Sequence, residues 1–409
     1  MITGPLVGIA AASTAKAKAP LTVDVFAPFS GAEAAYGNFA NLPGVKVGVA
    51  EINAAGGVLG HQINILTTDN LGDPADAVPI AHQLLATHSN LFGIFGNPGN
   101  AALPVIPIFN TAHIIDVSVS GATSLDSTKY RYFYRTFPPD VSSSAATAAN
   151  ALYGGHRRLA VVGLAGPDSQ SSQAPIMTGF RRGGGKVVFQ TFLQTGLTSY
   201  TSVLQNLLGS KPDVIVLNGL DDPTSATFLT EMRQLNGLKV PLVLTSIEPD
   251  LEQAMATALN LSDAQLGQYM TYVLPAVTAG ASYNYFWSEF LKEYPGKAAP
   301  FNGYNAAMYD GVIITALAAD EAGSTNPRVF NKDMTTVTAN TRGAVQVHNY
   351  LQGVRALRAH KTINFVGASG QEIFNSYHWV SGSWEIVRPG ANGGFVKVKL
   401  ITAAQMAKL

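Results

Sequence analysis

Three short loops in this chain carry the residue types that a small polar ligand needs. Gly96-Asn97-Pro98-Gly99-Asn100 follows an apolar run and leads into a segment of helical period, so small residues and amides sit where a helix start leaves free N–H groups for a carboxylate or carbonyl oxygen. Ser118-Val119-Ser120-Gly121-Ala122-Thr123 follows the next apolar run with hydroxyls and open backbone. Asp221-Asp222 comes directly after Leu217-Asn218-Gly219-Leu220 and before Pro223, which places carboxylates at another helix start. Each loop alone reads equally well as ordinary capping, because strand ends are the default home of such residues. Together the three favour a binding site.

Other motifs fall short of chemistry. Gly183-Gly184-Gly185-Lys186 lacks the spacing of a phosphate loop and precedes a strand, so it reads as a tight helix-to-strand turn. Gly367-Ala368-Ser369-Gly370-Gln371 lacks the final glycine of a nucleophile elbow and reads as a turn. The eight histidines form no His-Glu-x-x-His and no i, i+4 pair, so a metal site has little support. Asp69, Asp73 and Asp76 lack the cadence of a calcium loop and suit a strand exit followed by a helix N-terminus. No nucleophile–base pair or cofactor fingerprint stands out, so an enzyme is not expected, nor any cofactor.

The elements that position these loops repeat in kind. Apolar, β-branched runs at residues 21–27, 63–67, 91–95, 114–118 and 132–135 alternate with helical segments at 45–54, 75–87 and 101–110. After Pro138-Pro139 the same grammar restarts, with strands expected at 159–163, 186–192, 214–217 and 242–245 and helices at 142–152, 172–182, 200–208 and 224–235. Such alternation is the signature of parallel sheets covered by helices. The restart indicates two similar α/β lobes, and facing lobes would enclose a cleft at the carboxyl ends of their strands.

The chain's length of 409 residues agrees with two cores. Hydrophobic residues reach 47% and charged residues only 13%, which places the chain among well-packed globular proteins. With 26 basic and 26 acidic residues the net charge is zero, so no overall field gathers nucleic acid or an anionic membrane. The absence of cysteine excludes disulfides, thiolate metal sites and a cysteine nucleophile. No apolar stretch approaches the ~18 residues that span a bilayer. Residues 1–20 are expected to be a signal-peptide remnant or a disordered tail: a small, apolar run precedes Ala15-Lys16-Ala17 and Ala17-Lys18-Ala19, which have the small-x-small form of a cleavage site.

The order of several stretches resembles the periplasmic leucine/isoleucine/valine-binding family, the type I solute-binding proteins of ABC importers. They are Pro28-Phe29-Ser30-Gly31 with Tyr36-Gly37, then Glu51-Ile52-Asn53-Ala54-Ala55-Gly56-Gly57-Val58-Leu59-Gly60, and Asp69 through Asp73-Pro74. Ile94-Phe95-Gly96, Phe133-Tyr134-Arg135-Thr136, Pro212-Asp213-Val214 and Tyr304 through Tyr309-Asp310 continue the match across residues 21–390.

The resemblance implies two Rossmann-like lobes with parallel sheets, joined by three chain crossings and closing over a ligand by hinge bending. Crossings are expected near residues 137–140, 272–275 and 365–368. Lobe one would hold residues 21–138 and 275–364, and lobe two residues 139–274 and 365–409. It further implies ligand positions at Tyr36, Asn97, Asn100, Ser118, Ser120, Gly121 and Tyr304 in lobe one, and at Asp168, Leu220, Asp221 and Glu248 in lobe two. Family members that bind amino acids use tyrosines near Asp168 and Leu220 and an acid near Ile247 or Glu248, and this chain departs from the tyrosines. The implied function is capture of an amino acid, an amide or an aromatic carboxylate outside the cytoplasm, for hand-over to an ABC permease and its ATPase. A ligand sensor on the same fold, reporting to a regulatory protein, is the alternative.

Overall fold

The computed structural model describes residues 18–31, 33–220, 222–245, 255–277, 280–295, 302–391 and 395–409, with the side chains of Asn100, Pro167, Asp168, Asp222, Pro223 and Asn302 excepted. The expected leader, up to residue 17, lies outside them.

Strands β1 (Leu21–Ala27), β2 (Ile63–Asp69), β3 (Leu91–Gly96), β4 (Asp116–Ser118) and β5 (Phe133–Arg135) form a parallel sheet in the order β2-β1-β3-β4-β5. Five further strands, β6 (Arg158–Leu164), β7 (Lys186–Leu193), β8 (Val214–Asn218), β9 (Leu242–Leu244) and β10 (Met270–Pro275), repeat that order as β7-β6-β8-β9-β10. The short strands β11 (Val345–Val347) and β12 (Ile363–Phe365) pair with each other, and β13 (Trp384–Pro389) and β14 (Phe395–Ile401) extend the second sheet with antiparallel pairing. In both sheets the strand order reverses at the first strand, which opens a crevice at the carboxyl ends beside it. The restart seen after Pro138 is therefore a repeated topology.

Helices α1 (Leu42–Ala54), α2 (Pro74–Thr87) and α3 (Gly99–Ala112) connect the first sheet, and α4 (Asp140–Leu152), α5 (Pro167–Arg182), α6 (Thr201–Gly209) and α7 (Asp222–Gln234) the second. Local chemistry sets their ends. Asp73 caps α2 by accepting from the Ala75 N–H at 2.7 Å, and Pro74 supplies the helical φ of the first turn. Gly184, at φ +86°, makes the turn from α5 to β7. The central strands β1, β3 and β8 bury nearly every residue, as sheets covered on both faces must.

The helix Asn302–Ala322 lies against α1, and its run from Ala306 to Ala319 is buried all round. Backbones meet at Gly44, whose N–H donates to Asn305 Oδ1 at 3.0 Å. The Glu51 to Gly60 stretch proves to be architectural. Glu51 accepts from the Tyr309 hydroxyl and the Tyr350 N–H, both at 2.6 Å, and Asn53 exchanges two hydrogen bonds with the backbone of Ile63. Gly57 takes φ +77° where any Cβ would strike the His61 carbonyl.

After β12 the chain stays beside the first sheet. Residues 366–380 do not enter the second sheet; Arg135 N–H donates to His378 O at 2.8 Å and Val380 N–H to Arg135 O at 3.2 Å, along the edge of β5. The chain enters the second sheet only at Trp384, where Ala276 N–H donates to Ser383 O at 2.9 Å. β5 is short and its outer edge would otherwise be open, which is why this segment covers it first.

Buried acids accompany this segment. Asp310 accepts from the N–H groups of Ala368 and Ser369, each at 2.7 Å. Ser369 Oγ lies 2.6 Å from Asp310 Oδ2 and 2.8 Å from Glu372 Oε1, and one hydroxyl hydrogen cannot serve both. One of the two carboxyls must therefore carry a proton, and the upward shift of Glu372 favours that one. Burial raises both carboxyls, Glu372 well above its ordinary range, with the Asp310 charge adding to it. A carboxyl raised in the fold stabilises it fully below its unfolded value of 4.5, and that stability is lost as pH climbs through the folded value. Melting of the wild type should thus fall in temperature from about pH 5 to about pH 9 more steeply than that of Glu372→Gln, whose amide donates without titrating. Parallel slopes would contradict the protonated pair.

Candidate ligand site

The site builds from the carboxyl edge of the first sheet. Asp69, at the end of β2, accepts from the N–H groups of Phe29 (2.9 Å) and Leu71 (3.0 Å), which fixes the Pro28-Phe29-Ser30 turn. Burial alone would raise its carboxyl; the donated hydrogen bonds of Ser30, Phe29 and Leu71 outweigh this and hold it below the ordinary value. Tyr36 follows on a π-helical turn, Tyr36–Asn41, packed so closely that Gly37 N–H donates to Pro28 O at 3.1 Å. The Tyr36 ring meets Tyr304 edge-on at 6.2 Å, and Tyr304 stacks on Phe137 at 4.5 Å. An aromatic wall thus stands beside the first crossing.

Asn97 is fully buried at φ +40°, where an asparagine is one of the few side chains tolerated. Its amide donates to Asp116 Oδ2 at 3.2 Å, and burial raises Asp116 to about 7, only partly offset by that bond. Ser118 Oγ donates to Asn97 O at 2.8 Å and accepts from Ser120 N–H at 2.9 Å. Ser118 thus uses its hydroxyl to join the two loops, while the buried Oδ1 of Asn97 has no partner among the described residues. A protein carboxylate also stands at the start of α3, where a Cβ placed on Gly99 would lie 3.2 Å from Glu33 Oε2.

The loop from Ser120 to Thr123 is different. Gly121 O accepts from Asp140 N–H at 2.7 Å, and the carbonyls of Ser120 and Ala122 face the Arg135 guanidinium at 3.5 Å. In a trans peptide the C=O and the next N–H point in opposite directions. The N–H groups of Gly121, Ala122 and Thr123 consequently point away from Asp140 and Arg135, and no protein acceptor takes them among the described residues. A Cβ at Gly121 would lie 1.9 Å from Asp140 Oδ1, so a larger residue there would have to push that carboxylate aside. Three successive donors are thus left available to a ligand oxygen.

Between the two halves, α3 and α5 touch. The second edge centres on Asn218, which the sequence reading passed over. Its amide donates to Ser169 O at 2.9 Å and Ser172 Oγ at 3.0 Å, while its Oδ1 accepts from Thr245 Oγ1 at 3.1 Å. Gln173 Oε1 is buried beside Gly163 with no partner among the described residues. Leu220 departs from expectation: it is buried in the apolar cluster with Leu217, Phe228 and Leu244, since burial of a leucine there outweighs any polar contact it lacks the atoms to make. Asp221 and Glu248 lie outside the described residues, as do the side chains of Asp168, Asp222 and Asn100.

Comparison with known proteins follows the same lines. A family model described as periplasmic binding protein matches residues 20–357. The Leu/Ile/Val-binding protein of Escherichia coli (strain K12) is 24% identical over 203 residues, 49% of this chain and 54% of that protein, so the chain spans about half the length of this relative. Among solved structures, the leucine-binding protein LivK of Thermotoga maritima has a TM-score of 0.74 at 17% identity, covering 94% of this chain and 99% of that one. LivJ of Streptococcus pneumoniae, in complex with isoleucine, gives 0.72 at 18%, covering 93% and 100%. An R. palustris solute-binding protein in complex with 4-hydroxybenzoate gives 0.71 at 18%, covering 94% and 97%. At these identities the structural likeness establishes the fold, type I with paired parallel sheets. No helix among the described residues is long and apolar enough to cross a membrane. With the family model matched over most of its length, the chain belongs to the periplasmic binding protein family.

Proposed function

We propose that this protein is the extracytoplasmic solute-binding component of an ABC importer, and that its ligand is a small carboxylate held between two lobes. One observation carries this reading: in the loop that follows β4 at the carboxyl edge of the first sheet, the N–H groups of Gly121, Ala122 and Thr123 have no protein acceptor among the described residues, and Tyr36 and Phe137, each in contact with Tyr304, follow β1 and β5 at that same edge. Lobe one then comprises the first sheet with the helix Asn302–Ala322 and residues up to about 380, and lobe two the second sheet with β13 and β14. The crossings run side by side, since Pro138 abuts Gly382 and Ala276 bonds Ser383. A ligand touching both edges stabilises only the closed form, and closure is the signal that an ABC permease with its ATPase would read. Export to the periplasm and delivery to that complex belong to the same reading.

The ligands of the solved relatives supply the probes. A thermal-shift screen with leucine, isoleucine, benzoate and 4-hydroxybenzoate should yield at least one stabilising ligand, since a ligand at 100 times its Kd adds about 2.7 kcal/mol. The corresponding amides should fail to shift the melt if the three N–H groups receive a carboxylate. A screen in which amides and acids act alike would move the ligand class to neutral molecules.

For the best probe, Ser118→Ala should weaken binding at least tenfold and lower stability by about 1–3 kcal/mol, because it removes a donor and an acceptor that are both in use and buried. Ser120→Ala should do less, as Ser120 enters the loop through its backbone. Calorimetry on the two variants, each with its melt, checks the order; equal affinities would mean that loop shape does not govern binding.

A further inference from the structure

We propose that Arg135 is the positioning residue of the ligand loop, holding Ser120 to Thr123 in shape and tying that shape to the chain crossings. The proposal rests on the reading of that loop as the anion end of the cleft, and adds what keeps it so. Arg135 is fully buried, and among the described residues its one ion pair is with Asp126: Nη2 donates to Asp126 Oδ1 at 2.7 Å. Its second nitrogen, Nη1, stands 3.5 Å from two carbonyls, Ser120 O and Ala122 O, and Nε has no acceptor. A guanidinium placed this way turns alternate carbonyls inward and so forces the N–H groups of Gly121 and Thr123 outward. Its charge also lies behind those donors, on the side opposite an incoming anion.

The same residue touches the hinge. Its backbone bonds both His378 and Val380, and its guanidinium faces the Trp379 ring at 6.0 Å. Trp379 Nε1 in turn donates to the carbonyl of Asp126 at 3.0 Å, closing a ring of contacts through residues 126, 135 and 379. From Val380 the chain has three residues before Trp384 enters the second sheet. Gly121 O is bonded to Asp140 N–H, the first residue of α4, so the loop is also fixed to the first crossing. A change in lobe angle must therefore move the loop, and a loop drawn onto an anion must pull on two crossings. Lysine cannot substitute, because a point charge lacks the planar fork that reaches a carboxylate and two carbonyls at once.

The test needs no ligand, so its outcome is independent of whether any probe binds. Hydrogen exchange is measured by NMR on the full ligand-free chain, wild type against Arg135→Lys, at the N–H groups of Ser120, Leu125 and Asp140, which are bonded within or to the loop. The expected result is exchange at least tenfold faster at those three amides, with unchanged exchange in β6 and β8 of the other sheet. Unchanged exchange at the three amides would overturn the proposal, and so would uniform acceleration everywhere, which would make Arg135 a general stability residue. If Arg135→Lys does not fold, Asp126→Asn keeps the guanidinium but removes its ion pair; acceleration confined to the same amides supports the proposal, and its absence refutes it.

Discussion

Phe137→Ala is expected to lower the stability of the fold by about 3–5 kcal/mol, the range for deleting a buried phenylalanine side chain. Phe137 is 4% exposed between β5 and α4, stacked on Tyr304 and edge-on to Trp384 of the second sheet at 6.1 Å. Its loss opens a cavity beside these rings and leaves Tyr304 without its stacked partner. The effect on any ligand that rests on the aromatic wall should exceed the loss in stability. Chemical denaturation gives the first quantity and calorimetry with the best probe the second. A loss below about 1 kcal/mol would show that the crossing repacks around the gap. Phe137→Leu, which keeps much of the volume, should recover most of the stability but not the stacking.

Gly44→Ala sets two effects of opposite sign against each other. Alanine is favoured over glycine in a helix interior by about 1 kcal/mol. Against this, a Cβ at Gly44 would lie 2.2 Å from the carbonyl oxygen of Asn305, a backbone atom in the helix Asn302–Ala322 that cannot swing aside. Separating the helices would also break the bond from Gly44 N–H to Asn305 Oδ1. Overpacking costs about 1–3 kcal/mol, and the lost bond to a buried acceptor a similar amount, so the sum outweighs the helix gain. A net loss of about 2 kcal/mol or more is expected in the unfolding free energy. Gly209→Ala is the matched control: no atom lies within 4 Å of a Cβ there, and a small gain of about 0.4–1 kcal/mol is expected. Both variants moving in the same direction would mean that the α1 contact is looser than its geometry states.

Much of the architecture was legible in the residues themselves. The alternation of apolar runs with helical segments, the restart after Pro138, the Asp73 cap and the Gly183 to Gly185 turn are local signals, set by side-chain period and backbone dihedrals. They fixed strand and helix identity through β9 and both halves of the repeated sheet. The ligand loops were also legible, because a strand end followed by small and polar residues is a local pattern. Neutral charge and absent cysteine likewise needed no coordinates.

What each loop residue does was not legible. Ser118 and Ser120 look alike in sequence, yet only tertiary contact shows that the hydroxyl of Ser118 is consumed by Asn97 O and Ser120 N–H. Leu220 follows its strand as a ligand residue would, and only the fold shows it buried in one apolar cluster with Leu244 and Phe228. The Glu51 to Gly60 stretch, the most specific signature of the chain, holds Tyr309 and Tyr350 and lies on the framework. Asn218 carried no motif, and Arg135, although inside the matching Phe133 to Thr136 stretch, carried no sign of its role. Their partners are distant in sequence, Thr245 and Ser169 for one and Trp379 for the other, and hydrogen bonds between such positions leave no local period to read. Sequence determined which elements form and where their ends lie; the folded chain alone decided which polar groups satisfy each other and which remain free for a ligand, because a buried donor or acceptor must find its partner in space.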